Sequence, residues 1–474
     1  MPRRPHARRA ASVSAPCGQV GGADVTSRPI HVVGAGLAGP EAAVQIARRG
    51  LPVLLHEMRP SKRTPAHETD EIGELVCSNS LKTETPGSAP GLLKEELRRM
   101  GSVSMRVAAE ARIPGGTALT VDRRAFSRGL AAAVGREPLI QLVRGEVTRI
   151  PLDSDEIWIV ATGPLTSDAL AEFLVGVTGR ERLFFHDAIS PIVDAETIDM
   201  SVAYRASRYG NSLDGSDDYV NCPMDREQYD RFVSALLAAR QHQSHEFDSP
   251  NYFEGCLPIE ELARRGANTL RFGPMKPVGL RNPRTGESSY AVVQLRQEDA
   301  RAGSYNIVGF QNHLKYGEQK RLLRMIPGLE HAEFLRYGQI HRNTYINAPA
   351  LLRPTLQWKQ HPNVLFAGQI SGVEGYVESM ATGLIAGWNA ARLARSQPAL
   401  VWPRETAHGS LCTYISGASA TNYQPANITF DLLPPAPVEI RRKYRRRKRE
   451  RRKKQCELGL AALKGFLDAG RAAA

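Results

Sequence analysis

The run Ile30-His31-Val32-Val33 passes directly into Gly34-Ala35-Gly36-Leu37-Ala38-Gly39 and then into a helical pattern over Pro40 to Arg49. Gly50 stops that helix, and Leu51 to Glu57 reads as a second strand ending in an acid. Strand, glycine turn, helix and strand in that order make a dinucleotide-binding βαβ unit, the strongest constraint this chain places on its own fold. Gly34 permits the tight turn, Gly36 lets the backbone approach a pyrophosphate, and Gly39 lets helix and strand pack closely. The helix N-terminus then faces the phosphate charge. Gly34, Ala35, Gly36, Leu37, Ala38 and Gly39 are therefore expected to cradle the cofactor. Glu57, eighteen positions beyond Gly39, is placed to accept hydrogen bonds from ribose hydroxyls.

Two later segments narrow the choice of dinucleotide. Glu156 to Pro164 is an apolar strand ending in Ala161-Thr162-Gly163, and Asn363 to Gln369 is another ending in Gly368-Gln369. A helix rich in small residues, Val373 to Leu393, follows the second. A chain that returns to its first sheet after a long excursion resembles the FAD-binding architecture of the two-dinucleotide flavoproteins. The expected fold class is α/β: an FAD-binding, Rossmann-like domain of that type with an inserted α+β domain. Thr162, Gly163, Gly368 and Gln369 join the expected cofactor contacts, with the Gln369 amide standing where many such proteins carry an acid that bonds the ribitol chain. The small-residue helix, beginning near Gly372, would point its N-terminal dipole at the flavin pyrimidine; the alternative is a plain buried core helix. The division expected is a disordered extension over 1–27, the FAD-binding domain over 28–195 and 341–436, an inserted substrate domain over 196–340, and a basic tail over 437–474. Within the insertion, strand-like pieces are Met200 to Ala206, Ser289 to Leu295 and Tyr305 to Phe310, and helices are Arg226 to Gln243 and Glu318 to Met325.

Charge matters here by its location. The chain carries a formal +13, yet Arg441 to Lys454 alone holds twelve Lys/Arg against one Glu, and Met1 to Pro29 five Arg against one Asp. Everything else sums to −2, so the globular body is nearly neutral. No window approaches the roughly 18 consecutive apolar residues of a membrane helix. The six cysteines lie far apart, without CxxC pairs or Cys/His clusters at zinc spacing, so no metal site is expected and a reducing, cytoplasmic setting is.

Cys77, in Leu75-Val76-Cys77-Ser78-Asn79-Ser80-Leu81, and Cys222, in Tyr219-Val220-Asn221-Cys222-Pro223-Met224, stand out, with Cys256 third. Each taken alone reads equally as a small buried hydrophobe. Together with their surroundings they match a family. The motifs are the glycine turn, Glu57-Met58-Arg59-Pro60 with Thr64 to His67, the Cys77 and Cys222 segments, Leu119 to Arg123, Phe253 to Glu260, Arg271 to Leu280, Gly309 to Lys315, and Gly368 to Ser379. In these the chain resembles the folate- and FAD-dependent tRNA (uracil-5-)-methyltransferases, which make ribothymidine in the T loop and are related to the GidA flavoproteins, over most of Ile30 to about Leu433.

That resemblance implies methylenetetrahydrofolate as methylene donor, reduced FAD as electron donor and NADPH or NADH as reductant of the flavin. It implies Cys77 and Cys222 as the functional pair, with Cys222 expected to attack C6 of uracil and Cys77 to assist. Uracil C5 is a poor nucleophile until a thiolate adds to C6. Folate carries carboxylates and a pterin, so Arg271, Lys276, His313, Lys315 and His341 are candidate contacts, and Arg123 a candidate for the FAD adenosine side. tRNA needs phosphate neutralisation. Candidate patches are Arg98, Arg99, Arg106 and Arg112, or Lys315, Lys320, Arg321 and Arg324, and the tail is either an RNA-attracting arm or a solvated, disordered extension. Two rivals remain: a flavoprotein modifying the wobble uridine, and a tRNA-binding flavoprotein without catalysis.

Overall fold

The computed structural model describes residues 28–64, 66–179, 183–212, 215, 217–242, 257–421 and 423–472, without the side chains of 183–188, 340–342 and 471–472. The expected extension over 1–27, and Cys256, lie outside them.

The chain builds two bodies. The first holds a five-stranded, wholly parallel sheet in the order Val364–Phe366, Trp158–Val160, Ile30–Val33, Val53–Glu57, Ile140–Arg144. Parallel strands buried on both faces need apolar, β-branched runs, and Trp158, Ile159 and Val160 are all buried. The helix after the glycine turn, Ala38–Ala47, is buried along its whole length. It packs on the small-residue helix, Tyr376–Leu393, through backbones that nearly touch. A Cβ on Gly387 would come within 2.7 Å of Ala42 O, and one on Gly383 would fall on Ala38 O. The small residues are thus required by this helix crossing.

The second body is a six-stranded antiparallel sheet, in the order Tyr204–Arg205, Tyr219–Met224, Ala291–Gln297, Ser304–Ile307, Ile192–Asp194, Phe334–Arg336. Helices Arg226–Leu237, Ile259–Arg264 and Tyr316–Leu323 cover it and close a separate core with Phe232, Phe310 and Leu270. The chain enters and leaves this body through one antiparallel pair, Leu183–Ala188 with Ile340–Tyr345.

Several expected boundaries move. Of the strand expected over Met200 to Ala206 only Tyr204–Arg205 pairs, and the helix expected to reach Gln243 stops at Leu237. The small-residue helix starts at Tyr376, because Gly372 and Gly375 adopt φ of +85° and +115° and a short 3-10 turn, Gln369–Ser371, precedes them. The largest difference is the tail. It forms two helices, Val438–Lys443 and Lys448–Ala472, and the second buries Cys456 and Leu463 in the first body's core.

Candidate functional site

A parallel sheet opens at the carboxyl ends of its strands, and each strand of the first body delivers residues there. Gly34 and Ala35 follow the first strand, Glu57 ends the second, Gly145, Ala161 to Gly163 and Gly368 to Gln369 follow the others, and all line one cavity of about 960 Å³.

The turn itself is shaped for a phosphate. Gly34 has φ of +101°, and a Cβ there would sit 2.6 Å from Ala161 O. A Cβ on Gly39 would fall on Gly34 O, whereas Gly36 has open space beside it. Leu37 caps the following helix without any side-chain acceptor for the first-turn amides, so these N–H groups are left for an anion. Glu57 accepts from Ala35 N at 3.0 Å and from Arg59 N and Nε at 3.0 and 2.8 Å. Burial raises its pKa, but the hydrogen bonds and charge of Arg59 outweigh burial and hold the carboxyl below its ordinary range. His56 and His67, also on this wall, are pushed down to about 4, chiefly by burial, and stay neutral. An uncapped helix N-terminus, a bare glycine and a fixed carboxylate fit a dinucleotide. The expected contacts Thr162, Gly163, Gly368 and Gln369 are all brought to this wall, with the Gln369 amide donating to Glu374 at 2.6 Å.

A second cavity, of about 890 Å³, shares Val76, Pro164, Leu165, Gln369 and Tyr376 with the first and adds Cys77, Ser78, Lys82, Glu374 and Asn427. Cys77 is half-buried on it. Its loop is held from several sides. The Tyr376 phenol oxygen accepts from Cys77 N at 2.8 Å and Ser78 N at 3.0 Å. Arg296, from the inserted sheet, donates to Ser78 Oγ at 2.8 Å and Asn79 Oδ1 at 2.9 Å. Lys82 pairs with Glu378 at 3.1 Å and also donates to Asn427. Tyr376 belongs to one of the matching motifs, and Lys82 and Arg296 lie outside them all; only folding brings the three here.

Other expected residues are not brought to these cavities. Arg123 does not face the glycine turn: its guanidinium pairs with Glu298 and donates to the Leu75 and Cys77 carbonyls, so it braces the cysteine loop. Cys222 lies inside the inserted body. Strand side chains alternate, and on Tyr219–Met224 Val220, Cys222 and Met224 face the apolar core while Asn221 faces the other way, bonded to Gln294. Burial, then the charge of Glu330, pushes the Cys222 thiol up, away from the thiolate. Of the folate candidates, Arg271 stacks over Tyr290 at 3.5 Å, and Lys276, His313 and Lys315 line neither cavity. The His341 side chain is not among those described. Among the described residues no group of three metal-ligating side chains gathers, and no helix is long and apolar enough to cross a membrane.

The comparisons with known proteins agree with one another. The family model described as glucose inhibited division protein A matches residues 29–398. A protein of Solibacter usitatus (strain Ellin6076), methylenetetrahydrofolate–tRNA-(uracil-5-)-methyltransferase TrmFO, is 61% identical over 441 residues, covering 93% of this chain and 99% of its own. The protein of that name from Koribacter versatilis (strain Ellin345) is 58% identical over 438 residues, covering 92% and 98%. Among solved structures, Aquifex aeolicus GidA superposes with a TM-score of 0.66 at 18% identity, over 94% of this chain and 77% of that one, a likeness of fold. The expected α/β fold class is that of these flavoproteins.

Proposed function

This chain belongs to the glucose inhibited division protein A family and, within it, to the methylenetetrahydrofolate–tRNA-(uracil-5-)-methyltransferases, and from that premise we propose that it methylates C5 of the T-loop uridine, position 54, of tRNA. FAD on the glycine turn and methylenetetrahydrofolate are the cofactor and donor in this reading, with NADPH or NADH reducing the flavin. The observation that carries it is the placement of the Cys77 thiol on a cavity that shares a wall with the glycine-turn cavity.

The chemistry requires a thiolate at C6, which raises electron density at C5 for attack on the one-carbon unit. The C5 proton leaves, the folate C–N bond breaks to release tetrahydrofolate, and thiolate expulsion restores the C5–C6 double bond. Reduced flavin, when bound, supplies the hydride that turns methylene into methyl. The protein's own share is positioning. Glu57 holds the glycine turn through Ala35 N, and Tyr376 fixes the backbone at Cys77 and Ser78. In this reading Cys77 makes the attack and the expectation for Cys222 is withdrawn, since its thiol is sealed in the inserted core.

The test is nucleoside analysis of unmodified tRNA after incubation with methylenetetrahydrofolate, NADPH and the wild type or its Cys77→Ala, Cys222→Ala or Cys256→Ala variants. Ribothymidine at position 54 is expected from the wild type and Cys222→Ala but not from Cys77→Ala; the Cys256 variant shows whether a second thiol is required. No ribothymidine from flavin-loaded wild type sinks the reading, and a product at the wobble uridine assigns the rival.

A further inference from the structure

The tail run Arg441 to Lys454 is the longest basic cluster of the chain and has almost no acidic partners. Arg98, Arg99 and Arg112 are paired with Glu84 or Glu95, and Arg240 and Arg321 with Glu318. Among the described residues the tail run makes one ion pair, Lys454 with Glu457, and nine of its twelve cations are exposed. Because the rest of the body is nearly neutral, this is its strongest positive field.

The run is also ordered and anchored. Its long helix is seated by buried Cys456 and Leu463 and by Phe466 against Trp402, ring centroids 4.8 Å apart. Gly459 gives the close approach: a Cβ there would sit 2.8 Å from Glu405 O. Its basic end meets two segments that line the Cys77 cavity. A Cβ on Gly87 would come within 3.3 Å of Lys453 Cα, and the Arg452 guanidinium lies 4.9 Å from the Phe430 ring centre. Gly87 is five residues from Lys82 and Phe430 three from Asn427, and both Lys82 and Asn427 line that cavity. At about 3.6 Å per residue, these contacts lie within roughly 18 and 11 Å of the two wall residues. A few nucleotides span that distance.

We propose that the exposed face of Arg441 to Lys453 is an RNA-phosphate ridge that holds the tRNA backbone beside the Cys77 cavity, an inference that rests on the methyltransferase reading. The partner chemistry is a run of phosphodiesters: exposed cations along the end of the short helix, the turn after it and the start of the long helix neutralise successive phosphates and release their counterions.

The experiment uses the full chain with Arg445→Gln, Arg446→Gln, Arg447→Gln and Arg449→Gln combined, all exposed. tRNA binding is followed by anisotropy between about 50 and 200 mM salt. The slope of log K against log salt is expected to become shallower by about 3, at roughly 0.7–0.9 for each of four lost phosphate contacts, while the matching Arg→Lys variant keeps the wild-type slope. A Gln variant that melts with the wild type and keeps its slope overturns the ridge. So does capture of phosphatidylserine vesicles through these residues with tRNA affinity unchanged. Wild-type ribothymidine formation is scored separately, so a failed reaction with a lost slope refutes only the methyltransferase reading, and a working reaction with an unchanged slope refutes only the ridge.

Discussion

The parallel-sheet body and the inserted antiparallel body treat the same residue types in opposite ways. Cys77 lines a cavity, its backbone gripped by Tyr376 and Arg123, whereas Cys222 is sealed among Val220, Met224 and Val293. Glu57 and Glu260 are both buried. Glu57 meets a guanidinium and two amides and is held acidic. Glu260 is pushed up to about 7, chiefly by burial, opposed by two amide donors, its own and that of His313, and less by the charge of Arg264. A parallel sheet leaves its strand ends open with donors pointing into the gap, while an antiparallel sheet covered by helices closes on itself. Polar groups near the first are positioned for ligands, and those inside the second are desolvated.

The largest expected effect separates the thiols. Cys77→Ala should lower ribothymidine formation by at least about 10³-fold while leaving the melting temperature and bound flavin as in the wild type. Retained turnover would place the reaction on another thiol and erase the contrast.

The carboxylates come next. A raised folded-state pKa means the folded chain holds the proton longer than the unfolded one, so the group's contribution is full below the unfolded value and lost as pH rises through the folded value. For Glu260, from the ordinary 4.5 to about 7, that is on the order of 3 kcal/mol lost between those pH values. Glu260→Gln should therefore be more stable than wild type at pH 8 and flatten stability over that window in denaturant melts. Glu57 has the opposite sign: its contribution is present above about pH 4.5 and disappears as pH falls through its lowered value. Glu57→Gln should remove the acid-side loss. Parallel pH profiles for the two variants would abolish the distinction.

The smallest effect is Cys222→Ala. Turnover should stay within about twofold and stability should fall by about 1–2 kcal/mol from the small void left in the core. A Cys222→Ala variant with wild-type stability and no activity would reverse the assignment and return the nucleophile to the inserted body.

Much of the first body was legible because its signals are local. The glycine turn, Glu57 and the Ala161-Thr162-Gly163 and Gly368-Gln369 strand ends depend on neighbours a few residues apart, and all reach the cavity. Arg123 was misplaced because its partners, Glu298 and the Cys77 carbonyl, are distant in sequence. The tail was legible as charge alone; its docking depends on Leu463, Phe466 and Trp402, whose contacts no spacing rule announces.

What the sequence determined by itself is the glycine-turn cavity wall and the family, since glycines needed at φ above zero and an acid at a strand end are requirements of the backbone. Only the tertiary structure decided which thiol faces a cavity and where the tail's share of the charge, twelve Lys/Arg against one Glu, is presented. On the strand Tyr219–Met224 a one-residue change of register would turn Cys222 to the other face, and long-range packing sets that register. The charge was visible from the start as a count. It became a surface beside a cavity only when the tail helix found its seat on the first body.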